Sequence, residues 1–346
     1  MPPIHQPLHP SILPLLNPQY IKFHETHLQY IPPDDQTPWT SSIRTAPKPF
    51  PPTESPLTKT ASTQDLTLDN FSIRVFTPEL DPTNNNPAPD PGWPVFLWFH
   101  GGGWAIGGLA DGNDLCTLIC HTARCVVVTV GYRLAPEHPY PAAIEDAIAA
   151  LQYIHSPEGS QSLSIDPARI AIGGTSAGGN IAAVLAMKAS QLNPPIKIRF
   201  QLLVLPVIDN MASVEGVWKE NRFAPWLTPA RMEWYRGMYL PRERDRVEWD
   251  ASPNFAPEGL LARSPRTWIA VAGVDLLAAE GKEYARLLRR AWEGEGKRDR
   301  EGGVGVRVKA YEGATHSLLS MSGVLDQGTE LLRDCAGEVA EGFSLL

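Results

Sequence analysis

The sequence predicts an α/β protein: a mostly parallel central sheet with helices on both faces. From residue 95 onward, short apolar runs rich in β-branched residues alternate with segments of helical periodicity. The runs are near-continuously apolar, as strands buried on both faces must be. And 346 residues with 43% hydrophobic content are ample for such a core, as one large domain or two smaller ones.

In chain order, "PSILPLLNPQYIKFHETHLQYI" has room for one or two short helices. Most of the 34 prolines lie before residue 95. They exclude regular helix and central strand from "APKPFPPTESPLT" (Ala46–Thr58) and "DPTNNNPAPDPGWP" (Asp81–Pro94). Between them, "DLTLDNFSIRVFTP" (Asp65–Pro78) alternates around Asp69-Asn70, a hairpin pattern. The strand runs that follow are Val95–Phe99, Cys125–Val130, Arg169–Ile172, Arg199–Leu205, Thr267–Ala272 and Val306–Tyr311. Helices are expected at Ala142–Ile154, Ala177–Leu192 and Ala278–Glu293.

Val207–Pro257 breaks the rhythm. It has no clear strand and carries Trp218, Phe223, Trp226, Trp234, Tyr235, Tyr239 and Trp249. An insertion of that size reads as a helical subdomain. Its aromatics are either its own core or the lining of an apolar substrate site. The expected organisation is an N-terminal arm (1–60), a catalytic domain (61–206 and 258–346) and a helical insertion (207–257).

Net charge is −8 and no basic block is present, which argues against nucleic acid as a partner. The densest charge run, "EGEGKRDREGG" (Glu293–Gly303), mixes both signs and reads as a solvated turn. The N-terminus has no charged leader, and no apolar stretch approaches a membrane span. Cys116, Cys120, Cys125 and Cys335 show no metal-ligand spacing and read as buried free thiols. The expectation is a cytoplasmic protein with no metal.

"RIAIGGTSAGGN" (Arg169–Asn180) reads strand, tight turn, helix. Inside it Gly174–Gly178 matches G-x-S-x-G, a pattern common by chance that gains meaning from this context. The turn would lift the Ser176 hydroxyl above the sheet, beside a helix N-terminus able to hold negative charge. A serine nucleophile needs a base and an orienting acid. Among the histidines, His316 stands on a loop just after the last strand, and Asp275 on the loop after the preceding one. The order Ser176, Asp275, His316 is that of the α/β-hydrolase fold. The glycine-rich "HGGGWAIGG" (His100–Gly108) follows an earlier strand, where that fold takes oxyanion donors alongside the residue after the nucleophile, here Ala177.

With these pieces in place, the chain resembles the hormone-sensitive-lipase-like family of α/β-hydrolases, on its Thr-containing GTSAG branch. The resemblance rests on "HGGGW" (His100–Trp104), "YRLAPEHPYPAAIEDA" (Tyr132–Ala147), "GTSAGGN" (Gly174–Asn180), "DLLAAEG" (Asp275–Gly281) and His316, over roughly residues 65–346. It implies Ser176, Asp275 and His316 as triad and Gly102, Gly103 and Ala177 as oxyanion donors. "YRLAPEH" is implied to be a structural brace, with Arg133 and Glu137 paired within it. The insertion is similar to the family's cap, and the arm to its other half. Trp104, Trp218, Phe223 and Trp226 are candidates for substrate contact. His100 is expected to anchor its loop.

The expected function is hydrolysis of short-to-medium acyl or bulky apolar and aryl esters, with no cofactor and a small-molecule ester as substrate. The alternatives are a natural-product-tailoring hydrolase, cyclase or acyltransferase using the same triad, and a non-catalytic receptor. The resemblance leaves a homodimer open. A bulky residue at Gly102 or Gly103 is expected to lower kcat far more than stability.

Overall fold

The computed structural model of the chain describes residues 2–46, 49–51, 58–80, 89–297 and 305–344. The hairpin at Asp69-Asn70 forms: β1 (Ser62–Leu68) runs antiparallel to β2 (Phe71–Thr77), with Leu68 opposite Phe71. Six further strands follow, β3 (Trp93–Phe99), β4 (Val126–Gly131), β5 (Ile165–Thr175), β6 (Ile198–Val204), β7 (Arg266–Ala272) and β8 (Val306–Tyr311). Among the described residues they make one eight-stranded sheet in the order β1-β2-β4-β3-β5-β6-β7-β8. The β1–β2 and β2–β4 pairs are antiparallel and the rest parallel.

The helices are α1 (Pro18–Thr26), α2 (Asn113–Thr122), α3 (Ala142–His155), α4 (Pro157–Leu163), α5 (Ala177–Ala189), α6 (Pro229–Tyr239), α7 (Glu258–Leu261), α8 (Ala278–Gly294) and α9 (Asp326–Ser344). Their starts follow local chemistry. The Asn17 side chain accepts from the Gln19 N–H and the Thr228 hydroxyl from the Arg231 N–H, each with proline in the first turn.

Every residue of β3 is buried. Because side chains alternate across a strand, Val95, Leu97 and Phe99 join one core with α3, α5 and α8, while Phe96 and Trp98 join the other with α2 and α9. This two-sided burial explains the unbroken apolar runs. The four cysteines are free and buried.

Segment 207–257 holds α6 and two 3-10 turns, Glu243–Val247 and Pro253–Phe255. The arm lies against it. The His9 ring stacks on Phe223 at 3.8 Å, Phe50 meets Trp226 edge-on at 5.1 Å, and Trp39 meets Trp234 at 5.7 Å. Asn17 N–H donates to Gly313 O, tying the arm to the loop after β8. Most of the charge run and of the two Pro-rich stretches (298–303, 52–57 and 81–88) lies outside the described residues. No helix among the described residues is long and apolar enough to cross a membrane.

Candidate active site

Ser176 stands between the end of β5 and the start of α5 with φ 55° and ψ −119°. That is a costly backbone for a residue with a Cβ, and the surroundings enforce it. Its N–H donates to Val204 O at 2.9 Å, and its carbonyl accepts from Val207 N–H at 3.1 Å. The flanking glycines are required by space. A Cβ on Gly174 would sit 2.2 Å from Gly178 O, and one on Gly178 would sit 2.1 Å from Phe99 O.

The loops after β7 and β8 are zipped together by Gly273 N–H to Tyr311 O and Val274 N–H to Ala314 O, at 2.9 and 2.8 Å. This brings His316 to Asp275. His316 Nδ1 is 2.9 Å from Asp275 Oδ2, and Nε2 is 2.9 Å from Ser176 Oγ. Asp275 is 1% exposed, and its other oxygen accepts from Leu277 N–H at 3.1 Å. An ionised carboxylate only accepts, so Nδ1 carries the proton and Nε2 is left to accept from the serine hydroxyl.

The loop after β3 turns beside Ser176. Gly102 has φ +111° and Gly103 φ +58°, and Gly102 O accepts from the N–H groups of Ala105 and Ile106. A Cβ on Gly102 would lie 2.2 Å from Ile106 O, whereas one on Gly103 would lie 2.2 Å from the Tyr235 ring of α6. The N–H groups of Gly102, Gly103 and Ala177 make no hydrogen bond within the described residues. His100 is 2% exposed, stacks on Tyr132 at 4.3 Å and bonds Gly101 O through Nδ1. The Tyr132 hydroxyl donates to His100 O.

The brace differs in its pairing from the sequence expectation. Arg133 does not pair with Glu137. Its N–H and Nε both donate to the buried Asp146 of α3, and Nη2 reaches Glu145. Glu137 instead meets Arg44 of the arm, whose Nε donates to Ala105 O and Nη2 to Ala135 O, each at 2.8 Å. Two carboxylates on α3 face the end of β4, while Glu137 faces outward to the arm.

The four aromatic candidates divide. Trp104 is fully buried, stacked on Tyr239 at 4.3 Å, and takes Ala135 N–H at its carbonyl. Trp218 is 1% exposed, and its Nε1 donates to Glu280 at 2.6 Å. Both are packing residues in this arrangement. Phe223 and Trp226 line a cleft of about 300 Å³ between the arm and the insertion.

Three polar residues at the site had no role in the sequence reading. Glu280, inside "DLLAAEG", is buried and also accepts from the Ile208 and Asp209 N–H groups. Burial pushes its carboxyl up to about 7 against the pull of these donors. Asn221 donates to Asp275 O at 2.7 Å, and Arg44 fixes the glycine-rich loop after β3 from outside. For Asn221 and Arg44 no local pattern marks the role, because each acts on a segment far away in sequence.

A family model described as alpha/beta hydrolase fold matches residues 96–320. An AB hydrolase superfamily protein of Schizosaccharomyces pombe is 37% identical, over 98% of this chain and 97% of its own. Esterase LipI of Mycobacterium tuberculosis is 38% identical, over 68% of this chain and 69% of its own. A thermostable esterase of Pseudomonas putida ECU1011 superposes with a TM-score of 0.79 at 26% identity, over 95% of this chain and 98% of that one.

Proposed function

The chain belongs to the α/β-hydrolase fold family, among its hormone-sensitive-lipase-like esterases, and from that premise we propose how this carboxylic ester hydrolase works and what it prefers. The observation that carries the reading is the unbroken line Asp275–His316–Ser176, both links at 2.9 Å, beside three unengaged N–H groups. His316 Nε2 takes the Ser176 proton as Oγ attacks the ester carbonyl. Asp275 holds the ring and stabilises the imidazolium. Gly102, Gly103 and Ala177 receive the oxyanion. The intermediate collapses to an acyl-enzyme, and His316 gives its proton to the departing alcohol. Water, deprotonated by His316, then attacks the acyl carbon, and Ser176 leaves reprotonated with the acid released.

The arm and the 207–257 insertion act as one cap over this centre. Its aromatic surfaces, Phe223 and Trp226 among them, favour short-to-medium acyl or bulky apolar and aryl esters. A complete base and nucleophile favour turnover over a purely receptor role. Ser176→Ala tests the assignment: hydrolysis of a p-nitrophenyl ester should fall at least about a thousandfold with an unchanged unfolding midpoint. Retained turnover removes Ser176 from the mechanism.

A further inference from the structure

We propose that Asn17, at the start of α1, is a positioning residue for the proposed base His316, so that the arm supports the catalytic centre as well as covering it. This rests on the esterase reading of His316 above. His316 must meet Asp275 and Ser176 at the same time, at 2.9 Å from each, so a small shift of its loop spoils both contacts.

Just before His316, four carbonyls in succession are held by other elements. Tyr311 O and Ala314 O accept from Gly273 and Val274 N–H in the loop after β7, Glu312 O from Gln327 Nε2 on α9, and Gly313 O from Asn17 N–H. Two of these bonds lead to Asn17. Its N–H meets Gly313 O at 2.9 Å. Its Nδ2 donates to Gln327 Oε1 at 2.9 Å, which orients the Gln327 amide so that Nε2 faces Glu312 O, also at 2.9 Å. Its Oδ1 caps α1 by accepting from Gln19 N–H at 2.8 Å. The residue thus joins α1, α9 and the His316 loop. The fit is close: Gly313 has φ +75°, and a Cβ there would lie 2.9 Å from Asn17 N and 3.1 Å from Leu15 O.

Tyr20 backs the same loop from α1. It is fully buried in the core that holds Ala314 and Leu318, and its hydroxyl lies close to Thr315. His24 Nε2 stands 2.7 Å from Gln6 O, which only accepts, so Nδ1 is the bare nitrogen and the Tyr20 hydroxyl donates to it at 3.2 Å. Anchored in this way within the arm, α1 is a fixed support.

The test compares two substitutions at one position. Asn17→Ala loses the side chain and keeps the N–H. Asn17→Pro loses both: φ is −59° and Leu16 before it is extended, so proline suits the α1 backbone while its ring presses on Gly313 O. On a p-nitrophenyl ester, Asn17→Pro should lower kcat at least about tenfold with KM within about twofold of wild type. Asn17→Ala and Gln327→Ala should lower kcat about two- to fivefold. The downfield proton resonance of His316 Nδ1–H, bonded to Asp275, should shift or broaden in the same order. Lys22→Gly, which weakens α1 at an exposed site, should leave both readouts alone. If Asn17→Pro does not fold, Asn17→Ala and Gln327→Ala decide the matter. Unchanged kcat in the folded variants, a change in KM alone, an unmoved resonance, or an equal fall in Lys22→Gly overturns the proposal. A wild type that hydrolyses no ester overturns the esterase reading instead, and the resonance then still reports whether Asn17 places His316.

Discussion

At the strand ends, Ser176, Asp275 and His316 are fixed through the backbone: a β-to-α turn held by Val204 O, and two loops zipped by main-chain bonds. Above them the arm and the insertion meet through side chains, three ring contacts and the Arg231–Asp35 pair, between residues roughly 180 to 215 positions apart. Backbone-held positions tolerate almost no change of residue type, since a Cβ at Gly174 or Gly178 collides with main chain. Side-chain contacts can be made by many pairs. On the proposed mechanism, the floor carries the chemistry and the roof the selectivity.

The glycine-rich loop after β3, the proposed oxyanion loop, is one place where the two regions touch, and it gives the largest expected effect. Losing one preorganised donor costs about 3–4 kcal/mol of barrier, so alanine at Gly102 or Gly103 should lower kcat by two to three orders of magnitude. The two should differ in stability. The Gly102 Cβ would meet Ile106 main chain, which no side-chain substitution removes, whereas the Gly103 Cβ would meet the Tyr235 ring, which a substitution can remove. Gly102→Ala should thus unfold at clearly lower denaturant than the wild type. Tyr235→Ala should recover stability for Gly103→Ala and not for Gly102→Ala. Equal losses in both would erase the distinction between floor and roof at this point.

Glu280 sharpens the comparison from the other side, because it ties the insertion to the floor. Its carboxylate gathers Ile208, Asp209 and Trp218 from the start of the insertion onto α8, the helix that follows Asp275. In Glu280→Gln the amide must turn its NH2 toward one of these donors, a cost of about 3 kcal/mol at pH 5. The pH dependence has a defined sign. The folded carboxyl holds its proton up to about 7 instead of 4.5. Its contribution is therefore full below 4.5 and lost as pH rises through 7. The stability gap between wild type and variant should be widest near pH 5 and narrow toward pH 7.5 in urea unfolding. A gap that widens with pH would mean the donors outweigh burial.

The same division decides what could be read in the sequence. The sheet was legible because strands buried on both faces leave unbroken apolar runs, and "IAIGGTSAGG" because a nucleophile turn admits only small neighbours. The hairpin was legible from its Asp-Asn turn. The Arg133–Glu137 pairing that the resemblance implied does not form, because Glu137 meets a partner arriving from the arm. Trp104 and Trp218 illustrate a related limit. Composition marks a tryptophan as large and apolar, but only packing shows that Trp104 stacks on Tyr239 and Trp218 spends its N–H on Glu280.

Arg44 tests whether the roof supports the chemistry or merely covers it. Its guanidinium ties the arm to two segments, donating to Ala105 O in the glycine-rich loop after β3 and to Ala135 O and Glu137 in the brace. Ala105 N–H in turn bonds Gly102 O, so the arm reaches Gly102, a proposed oxyanion donor, through two hydrogen bonds in series. Arg44→Ala should cost only about 1 kcal/mol of stability, since the side chain is partly exposed and water can replace part of what is lost. Its kinetic signature should be a fall in kcat of about three- to tenfold with KM little changed, because a loosened loop weakens binding of the oxyanion more than of the ester. Arg44→Lys should recover less than half of that, as one ammonium cannot reproduce a fork that serves two carbonyls and a carboxylate. A change in KM alone would show that the arm only shapes the entrance.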